Sequence, residues 1–232
     1  MRDLVEALEL RSPMAPGRPR VVGVMITSVD GRAAVQGRSV ALGHPADRAL
    51  LRELRAGADA ILVGSSTLVA ERYANLLDPD QRARRAAAGL PEHPLIATVS
   101  RRLDLPATVP VLTEPGVPVL IFTESTGPLP GVAADLDVHR FAPGGLDFPT
   151  VLAELARRGV RGVVCEGGPM LLRGLVAQGC LDDLMVTLSP LLVAGDAPSI
   201  LEGDPLPEPA RLRLREVHRA DDHLFLHYGA GG

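Results

Sequence analysis

The chain has 232 residues, 46% of them hydrophobic and 22% charged, which is the balance of a globular protein with a sizeable core. A formal net charge of −4, the lack of a long basic run and an aromatic content of 3% argue against a nucleic-acid partner. No apolar stretch approaches the roughly 20 residues of a membrane span, and the acidic N-terminal segment is unlike a signal peptide, so we expect a cytoplasmic protein without a membrane partner.

Apolar runs and breaker residues in the first half of the chain predict two strand–helix pairs behind an N-terminal arm. The arm, residues 1–20, is rich in proline and is expected to be extended. The predicted elements that follow are a strand over 21–27, a polar turn over 28–32, a helix from His44 to about Arg55, a buried strand over 59–64 and a short helix over 65–71. A surface excursion over 72–93 holds an exposed helix over 81–88, whose arginines we interpret as a solvated face rather than an anion site.

The second half of the chain predicts further strands and helices and ends in a hairpin. In order these are strands over 95–99 and 117–122, a helix from Asp147, a strand over 160–165, a helix over 169–178, a strand within 182–193 that breaks near Pro190, and two hairpin strands over 212–218 and 223–228. Strands alternating with helices and then a strand-rich tail are typical of an α/β fold. We therefore expect a single domain over 21–232, with a mixed, mostly parallel sheet flanked by helices and an antiparallel C-terminal edge.

The segment Cys-Glu-Gly-Gly-Pro, from Cys165 to Pro169, joins a buried strand to a helix. Gly167 and Gly168 allow a ligand to approach the main chain closely, and proline suits the first position of a helix. Because a helix N-terminus presents free N–H groups and a positive dipole end, this corner is suited to the diphosphate of a dinucleotide. A plain strand-to-helix corner is the alternative. Glu166 would repel a phosphate, so we expect its carboxylate to face a different ligand.

A second glycine corner at Gly64 and the polar turn over 28–32 each follow a predicted strand, so both are expected at the carboxyl edge of the sheet. Ligands of open α/β folds bind at that edge. Neither corner has the G-x-G-x-x-G spacing of a Rossmann domain, and the chain holds no G-x-S-x-G elbow and no Walker loop. The two cysteines and six histidines form no metal-ligand pattern, so no metal site is expected. We interpret the histidines of the final hairpin as strand or interface residues rather than catalytic ones.

Three motifs, in their order and spacing, resemble those of one family. They are residues 27–32 (Thr-Ser-Val-Asp-Gly-Arg), residues 58–67 (Ala-Asp-Ala-Ile-Leu-Val-Gly-Ser-Ser-Thr) and residues 166–169 (Glu-Gly-Gly-Pro). The family is the pyrimidine reductase of riboflavin biosynthesis, the reductase half of a bifunctional deaminase–reductase, and its fold is that of dihydrofolate reductase. The likeness runs from about residue 20 to the C-terminus. The ordered set is more specific for the family than for the substrate.

This resemblance implies NADPH as the reductant. In the family, the glycine corner and the first turn of its helix hold the cofactor diphosphate, and the matching residues here are Gly167, Gly168, Pro169, Met170 and Leu171. Gly64 is also assigned to the cofactor, and Thr67 and the acidic position Glu71 lie beside its nicotinamide half. The loop after the third strand resembles the place where the 2′-phosphate binds, which implicates Ser100 and Arg102; a planar guanidinium suits a phosphate.

For the substrate, the resemblance implicates Asp30, Ser39, Arg55 and Glu166. Ser39 and Arg55 match positions that contact the phosphorylated sugar. Glu166 would accept hydrogen bonds from the N–H or amino groups of a pyrimidine or pteridine ring. Asp30 matches the aspartate of the first motif, for which capping the turn is the alternative role. No catalytic residue is identified, so the proton is expected from water or from the substrate.

The chain departs from the family pattern in two places. Val24 stands where the family usually has a lysine, which is thought to meet the sugar chain at the reacting carbon. The run Glu71-Arg72-Tyr73 stands where two acidic residues and a proline are usual. The H-x-E and P-C-x-x-C motifs of the zinc deaminase half have no counterpart in this sequence, which implies a stand-alone reductase.

We therefore expect an NADPH-dependent reductase that converts the ribosyl group of 5-amino-6-(5-phosphoribosylamino)uracil into a ribityl chain. The alternatives are the reduction of dihydrofolate or of another pterin or pyrimidine ring, and a non-catalytic nucleotide-binding protein that kept the fold. The family pairs through its C-terminal region, and the hairpin over 212–228 offers an edge for pairing, so a homodimer is also expected.

Overall fold

The computed structural model describes Val5 and residues 8–74, 76–128 and 131–231. Within that part the strands are β1 Arg20–Ser28, β2 Ala60–Gly64, β3 Leu95–Val99, β4 Pro118–Thr123, β5 Asp135–Arg140, β6 Gly162–Cys165, β7 Asp183–Ser189, β8 Leu212–Ala220 and β9 His223–Ala230. The α-helices are α1 Pro45–Gly57, α2 Ser65–Ala70, α3 Pro79–Ala87, α4 Phe148–Arg157 and α5 Pro169–Ala177. None of these helices combines the length and the apolar character that crossing a membrane requires.

The strands form one sheet in the order β5-β4-β3-β2-β6-β1-β7-β9-β8. Every neighbouring pair from β5 to β7 is parallel, whereas β9 runs antiparallel to both β7 and β8. The predicted α/β fold, with a mostly parallel sheet and an antiparallel C-terminal edge, is confirmed. This order puts β2, β6, β1 and β7 side by side, so the carboxyl ends of these four strands share one edge.

Apolar side chains cover both faces of the sheet, which is why the central strands are continuous apolar runs. On one face, residues of α4 and α5 cluster with strand residues such as Leu62 and Val163. On the other face, Leu50 and Leu54 of α1 cluster with Val22 of β1. With both faces covered, the carboxyl edge is the part of the central sheet that is left for a ligand.

Capping residues set the starts of the helices at the predicted positions. The Nδ1 atom of His44 accepts a hydrogen bond from the N–H of Ala46 at 3.1 Å, and Pro45 occupies the first position of α1. A carboxylate oxygen of Asp147 accepts from the N–H of Thr150 at 2.7 Å at the start of α4. Side-chain acceptors of this kind satisfy N–H groups that have no partner within the helix. The first turn of α1 is therefore fixed beside the carboxyl edge.

The sequence pattern does not predict β5, which the structure places at the edge of the sheet beside β4. Its sequence is Asp-Leu-Asp-Val-His-Arg, and all its side chains are exposed or half-buried. An edge strand has fewer neighbours to pack against, and charged side chains also discourage pairing with another chain. Its composition therefore resembles that of a loop.

The expectation that the helix over 81–88 presents its arginines to solvent is wrong for Arg85. This residue of α3 is 2% exposed, and its guanidinium donates hydrogen bonds to the carbonyl oxygens of Ala56, Ala58 and Pro91. Carbonyl groups at a helix C-terminus lack partners within the helix and carry the negative end of the dipole. Arg85 thus caps the end of α1, a contact between elements that a helical pattern does not reveal.

Candidate active site

The two glycine corners meet at the carboxyl edge of the sheet. The N–H of Gly64, at the end of β2, donates to the carbonyl oxygen of Gly167 at 2.8 Å, and the N–H of Glu166 donates to that of Leu62 at 3.0 Å. Gly167 has a φ of 77°, in the left-handed region that favours glycine, and the peptide bond between Gly167 and Gly168 is cis. The corners after β2 and β6 are therefore joined in one main-chain surface.

Gly168 keeps the start of α5 free of side chains. It is the residue before the first helical turn, and no side chain caps the helix there. A Cβ atom at Gly168 would lie 2.7 Å from Oγ1 of Thr67, so a larger residue would have to displace that hydroxyl. Met170 in the first turn is 74% exposed, whereas Leu171 is buried. Uncapped N–H groups beside the main chain of two glycines fit an anionic ligand.

Glu166 lies in a buried cluster with Arg55 of α1 and Tyr73. Nε of Arg55 donates to Oε1 and Nη2 donates to Oε2, both at 2.6 Å, and the Tyr73 hydroxyl donates to Oε2. The side chains of Arg55 and Glu166 are 14% and 4% exposed. Both carboxylate oxygens of Glu166 therefore have protein partners, and the two residues that the sequence assigns separately to ring and sugar form one ion pair.

Burial and pairing shift the pKa values of both partners of Glu166. Burial alone would lower the pKa of the Arg55 guanidinium, but the Glu166 carboxylate outweighs burial and raises it. Burial, reinforced by the charge of Glu166, raises the pKa of Tyr73 well above its ordinary value. Arg55 therefore stays cationic and Tyr73 stays a neutral donor at physiological pH.

Ser39 and Glu71, assigned from the sequence to substrate and cofactor respectively, contact each other. Oε1 of Glu71 accepts hydrogen bonds from both the main-chain N–H and the hydroxyl of Ser39, each at 2.9 Å. The carboxylate therefore fixes the segment that precedes α1. The structure brings the two residues together at the border between the expected cofactor and substrate regions.

Asp30 joins two loops. Its carboxylate accepts from the Ser28 hydroxyl at 2.6 Å and from the N–H groups of Val193 and Ala194 at 3.0 and 2.7 Å. The Ser28 hydrogen bond, with the two main-chain donors, lowers the pKa of Asp30 to about 2. This geometry matches the turn-capping alternative, since all the hydrogen bonds go to residues of the loops that Asp30 connects.

The loop after β3 carries the two residues expected at a 2′-phosphate. Ser100 is buried, and its hydroxyl donates to Oδ1 of Asp104 at 2.9 Å. Arg102 is exposed, while its neighbour Arg101 pairs with Glu124 at 2.9 Å. Of the two expected residues, Arg102 is therefore the one that is open to a ligand.

Two adjoining cavities open at this edge. The first, of about 290 Å³, lies against the glycine corner and is called here the apolar cavity; Val24 and Met25 of β1 line it, as do six of the predicted residues, Ser39, Thr67, Glu71, Glu166, Gly168 and Pro169. The second, of about 240 Å³, is called the cationic cavity because its lining includes Arg48, Arg55 and Arg72. Ser39, Asp47, Glu71 and Tyr73 line both. The two cavities could therefore bind ligand groups of different chemistry side by side.

Sequence reasoning did not assign Asp47, Arg48, Arg72 or Tyr73 to the site. For the first two a signal was available: they precede Arg55 on the same helix by eight and seven residues. That spacing is about two helical turns, which puts all three on one face. Arg72 and Tyr73 follow the short helix in a stretch without periodicity, so only the folded chain brings them to the cavities.

Comparison with known proteins gives consistent matches. A model of the RibD C-terminal domain matches residues 19–226. A 2,5-diamino-6-ribosylamino-4(3H)-pyrimidinone 5′-phosphate reductase of Archaeoglobus fulgidus is 26% identical over 205 residues, 86% of this chain and 93% of that protein. A riboflavin biosynthesis protein RibD of Mycobacterium tuberculosis is 31% identical over 186 residues, 79% of this chain and 46% of that protein. The crystal structure of a pyrimidine reductase-like protein of Corynebacterium diphtheriae has the same fold, with a TM-score of 0.77, 23% identity and 92% of each chain covered.

Proposed function

Because this chain belongs to the family of the RibD C-terminal domain, we propose that it is a reductase that uses NADPH to convert the ribosyl group of a ribosylaminopyrimidine 5′-phosphate into a ribityl chain. The observation that carries this proposal is the pair of adjoining cavities, one mostly apolar beside a glycine corner and one lined by arginines. The first suits a ring and a nicotinamide, and the second suits a phosphate. The name of the Archaeoglobus fulgidus relative supports the reaction class.

The residues at the glycine corner fit a nicotinamide dinucleotide, because the start of α5 has no side-chain cap and a Cβ atom at Gly168 would lie 2.7 Å from the Thr67 hydroxyl. The diphosphate would be held by Gly167, Gly168, Pro169, Met170 and Leu171. Gly64, Thr67 and Glu71 would border the rest of the cofactor, and the exposed Arg102, next to Ser100, would hold the 2′-phosphate that distinguishes NADPH from NADH. When bound, the nicotinamide supplies the two electrons and one hydrogen that the substrate carbon gains.

The cationic cavity supports a phosphorylated substrate. Arg48 and Arg72 are exposed there, whereas the guanidinium of Arg55 is committed to Glu166. Guanidinium groups match the planar geometry of phosphate oxygens. We assign Arg48 and Arg72 to the phosphate and Ser39 to the sugar, and we assign Arg55 to holding Glu166 in place.

The apolar cavity supports a pyrimidine ring. Val24, at the position of the family lysine, lines this cavity together with Met25 and Ile26, so apolar side chains stand where the ammonium group would be. Two ring forms are compatible with the family. The sequence-based expectation is 5-amino-6-(5-phosphoribosylamino)uracil, and the name of the relative gives the 2,5-diamino-pyrimidinone. The two rings differ at carbon 2, which carries an oxygen in the first and an amino group in the second.

Steady-state kinetics with each of these two compounds tests the proposal through the NADPH that is consumed. We expect saturable turnover that depends on the 5′-phosphate. Arg48→Ala and Arg72→Ala should raise KM about tenfold or more with little change in kcat, since binding to the phosphate is the same in ground and transition states. Arg211→Ala, an exposed arginine outside both cavities, is the matched control. NADPH binding without turnover of either compound would instead favour a non-catalytic nucleotide-binding protein.

We also propose that the chain forms a homodimer in the cytoplasm. The support for pairing is the long outer strand β8, whose exposed apolar side chains include Leu212, Leu214 and Val217. An unpaired edge of this length with apolar side chains is a ready surface for another strand or another chain. The cytoplasmic location rests on the sequence alone and stays a prediction.

A further inference from the structure

Asp47 is a carboxylate in the wall that both cavities share. It lies in the first turn of α1 and lines the apolar and the cationic cavity. Its Oδ1 accepts a hydrogen bond from the hydroxyl of Thr187 on β7 at 2.6 Å. Thr187 is buried, and it is paired in the sheet with Ile26, another residue of the apolar cavity. The side chain of Asp47 is thus fixed against the sheet and not free to swing into solvent.

The second oxygen of Asp47 is available to a ligand. Among the described residues, the Thr187 hydroxyl is the donor to this carboxylate, and no residue there donates to Oδ2. Burial raises the pKa of Asp47, against the opposing effects of the Thr187 hydroxyl and of His223, Arg48 and His44 nearby. A carboxylate that has lost much of its water gains from any N–H group that reaches it.

Glu166, the other acidic residue expected to meet the ring, is in a different position. Its Oε1 accepts from Arg55, and its Oε2 accepts from both Arg55 and Tyr73. Each carboxylate oxygen has about two acceptor sites, so Oε2 is fully used. Glu71 also lines both cavities, but Ser39 occupies both acceptor sites of its Oε1. Of these three carboxylates, Asp47 is therefore the one with acceptor capacity left on both oxygens.

The edge chemistry of the two ring forms decides which one a carboxylate prefers. A 2-amino-4-oxopyrimidine presents a ring N–H and an amino N–H side by side, two donors that match the two oxygens of a carboxylate. A uracil presents a ring N–H beside a carbonyl oxygen. That carbonyl oxygen and the nearer carboxylate oxygen are both acceptors, so they repel each other. An asparagine side chain, with one acceptor and one donor, reverses this match.

We propose that Asp47, held by Thr187, determines the specificity of the site by pairing with the ring N–H and the 2-amino group of a 2-amino-4-oxopyrimidine, and that it disfavours the corresponding uracil. This inference rests on the proposed function for the identity of the ligand and deepens it by naming the ring. In this proposal Asp47 makes the ring contact that the family resemblance implied for Glu166. It requires no chemical step beyond the proposed reduction.

Binding calorimetry with the full chain, without a reductant, tests the inference. The two probes are 2,5-diamino-6-ribosylamino-4(3H)-pyrimidinone 5′-phosphate and 5-amino-6-(5-phosphoribosylamino)uracil. We expect the wild-type chain to bind the diamino compound about tenfold or more tightly than the uracil, because an unmatched buried polar group is strongly rejected. Asp47→Asn should abolish or reverse this preference. Asp222→Asn, the same change at an exposed turn carboxylate, should retain it.

Equal affinity of the wild-type chain for the two rings, or an unchanged preference in Asp47→Asn, would overturn the inference. Asp47→Ser, which removes the charge with a smaller side chain, gives the same answer if the asparagine variant does not fold. Thr187→Val should reduce the preference in part, because the carboxylate remains but loses the donor that fixes it. A clear ring preference without NADPH consumption would contradict the reductase and leave the role of Asp47 intact, so the two failures are distinguishable.

Discussion

At the scale of single residues, the ion pair between Arg55 and Glu166 is the feature on which the site depends. The two residues come from α1 and from the end of β6, and Tyr73 closes the cluster from a third segment. A buried pair of charges is tolerated when geometry and further hydrogen bonds compensate for lost hydration. Here the guanidinium makes two parallel hydrogen bonds and a tyrosine supplies a third, so removing any one member leaves a buried group unsatisfied.

Glu166→Gln should therefore destabilise the fold as well as harm catalysis. It leaves the buried Arg55 guanidinium without its counter-charge, and we expect the free energy of unfolding to fall by about 3–5 kcal/mol. Tyr73→Phe removes one hydrogen bond to a charged group and should cost about 1.5–3 kcal/mol. Chemical denaturation measures both, with Glu208→Gln, an exposed carboxylate, as the control. If Glu166→Gln is as stable as that control, the pair does not exist in solution.

In the folded Glu166→Gln variant, we expect substrate KM and kcat to change far more than the affinity for NADPH. The contacts of Glu166 are to Arg55 and Tyr73, and both of these line the cationic cavity. The expected diphosphate site lies on the main chain of the glycine corner instead. Equal losses of substrate and cofactor binding would argue against this division of roles.

Asp30 provides a test by pH. Its pKa is lowered from 3.8 to about 2, first by the Ser28 hydroxyl and then by the N–H groups of Ala194 and Val193. A carboxylate whose pKa is depressed in the folded state adds stability above its unfolded pKa and loses that contribution as pH falls through the folded value. The difference in Tm between the wild-type chain and Asp30→Asn should therefore be constant above about pH 5 and shrink as the pH falls toward 2. A difference that is flat over this whole interval would show that the carboxylate does not hold the two loops.

At the scale of elements, the joined corners after β2 and β6 define the expected cofactor surface. Gly168→Ala should weaken NADPH binding, because the new Cβ atom would lie 2.7 Å from Oγ1 of Thr67 and would displace that hydroxyl from the glycine corner. Gly168→Asp should abolish binding, since it also places a carboxylate against the diphosphate. Fluorescence titration with NADPH measures both variants. Gly131→Ala is the matched control, because nothing lies within 4 Å of a Cβ atom there; unchanged affinity in the Gly168 variants would remove this surface from the cofactor site.

The elements that sequence alone predicts are those whose pattern is local. Continuous apolar runs give β1, β2 and β6, and the caps at His44 and Asp147 give the starts of two helices. The edge strand β5 is not predicted, because its six residues include only two apolar side chains, Leu136 and Val138, and its place in the sheet comes from pairing with β4. The burial of Arg85 is also not predicted, because it depends on carbonyl groups at the end of another helix.

The same distinction applies to the site. Gly168 and Pro169 are recognisable because a helix start after glycines is a local motif with a physical use. The pairing of Arg55 with Glu166, and of Ser39 with Glu71, joins residues 111 and 32 positions apart, which no local pattern specifies. Asp47 is a further case, because its partner Thr187 is 140 positions away.

At the scale of the whole molecule, the C-terminal hairpin is the surface that we expect to pair two copies. Leu214 is 51% exposed on β8, the outermost strand of the sheet. Leu214→Glu should shift the chain from dimer to monomer in light scattering, because a buried charge at a pairing surface is unfavourable. Met14→Glu makes a comparable change at a residue 57% exposed outside the hairpin and should leave the dimer intact. A wild-type chain that scatters as a monomer would contradict the pairing.

The central claim is that the two cavities bind a ribosylaminopyrimidine phosphate and a nicotinamide cofactor so that one reduces the other. The most direct measurement incubates the chain with NADPH and 2,5-diamino-6-ribosylamino-4(3H)-pyrimidinone 5′-phosphate and identifies the product by mass spectrometry. The account predicts that the ribityl compound forms in equal amount to the NADPH consumed. Recovery of unchanged substrate from a chain that binds both compounds would contradict it.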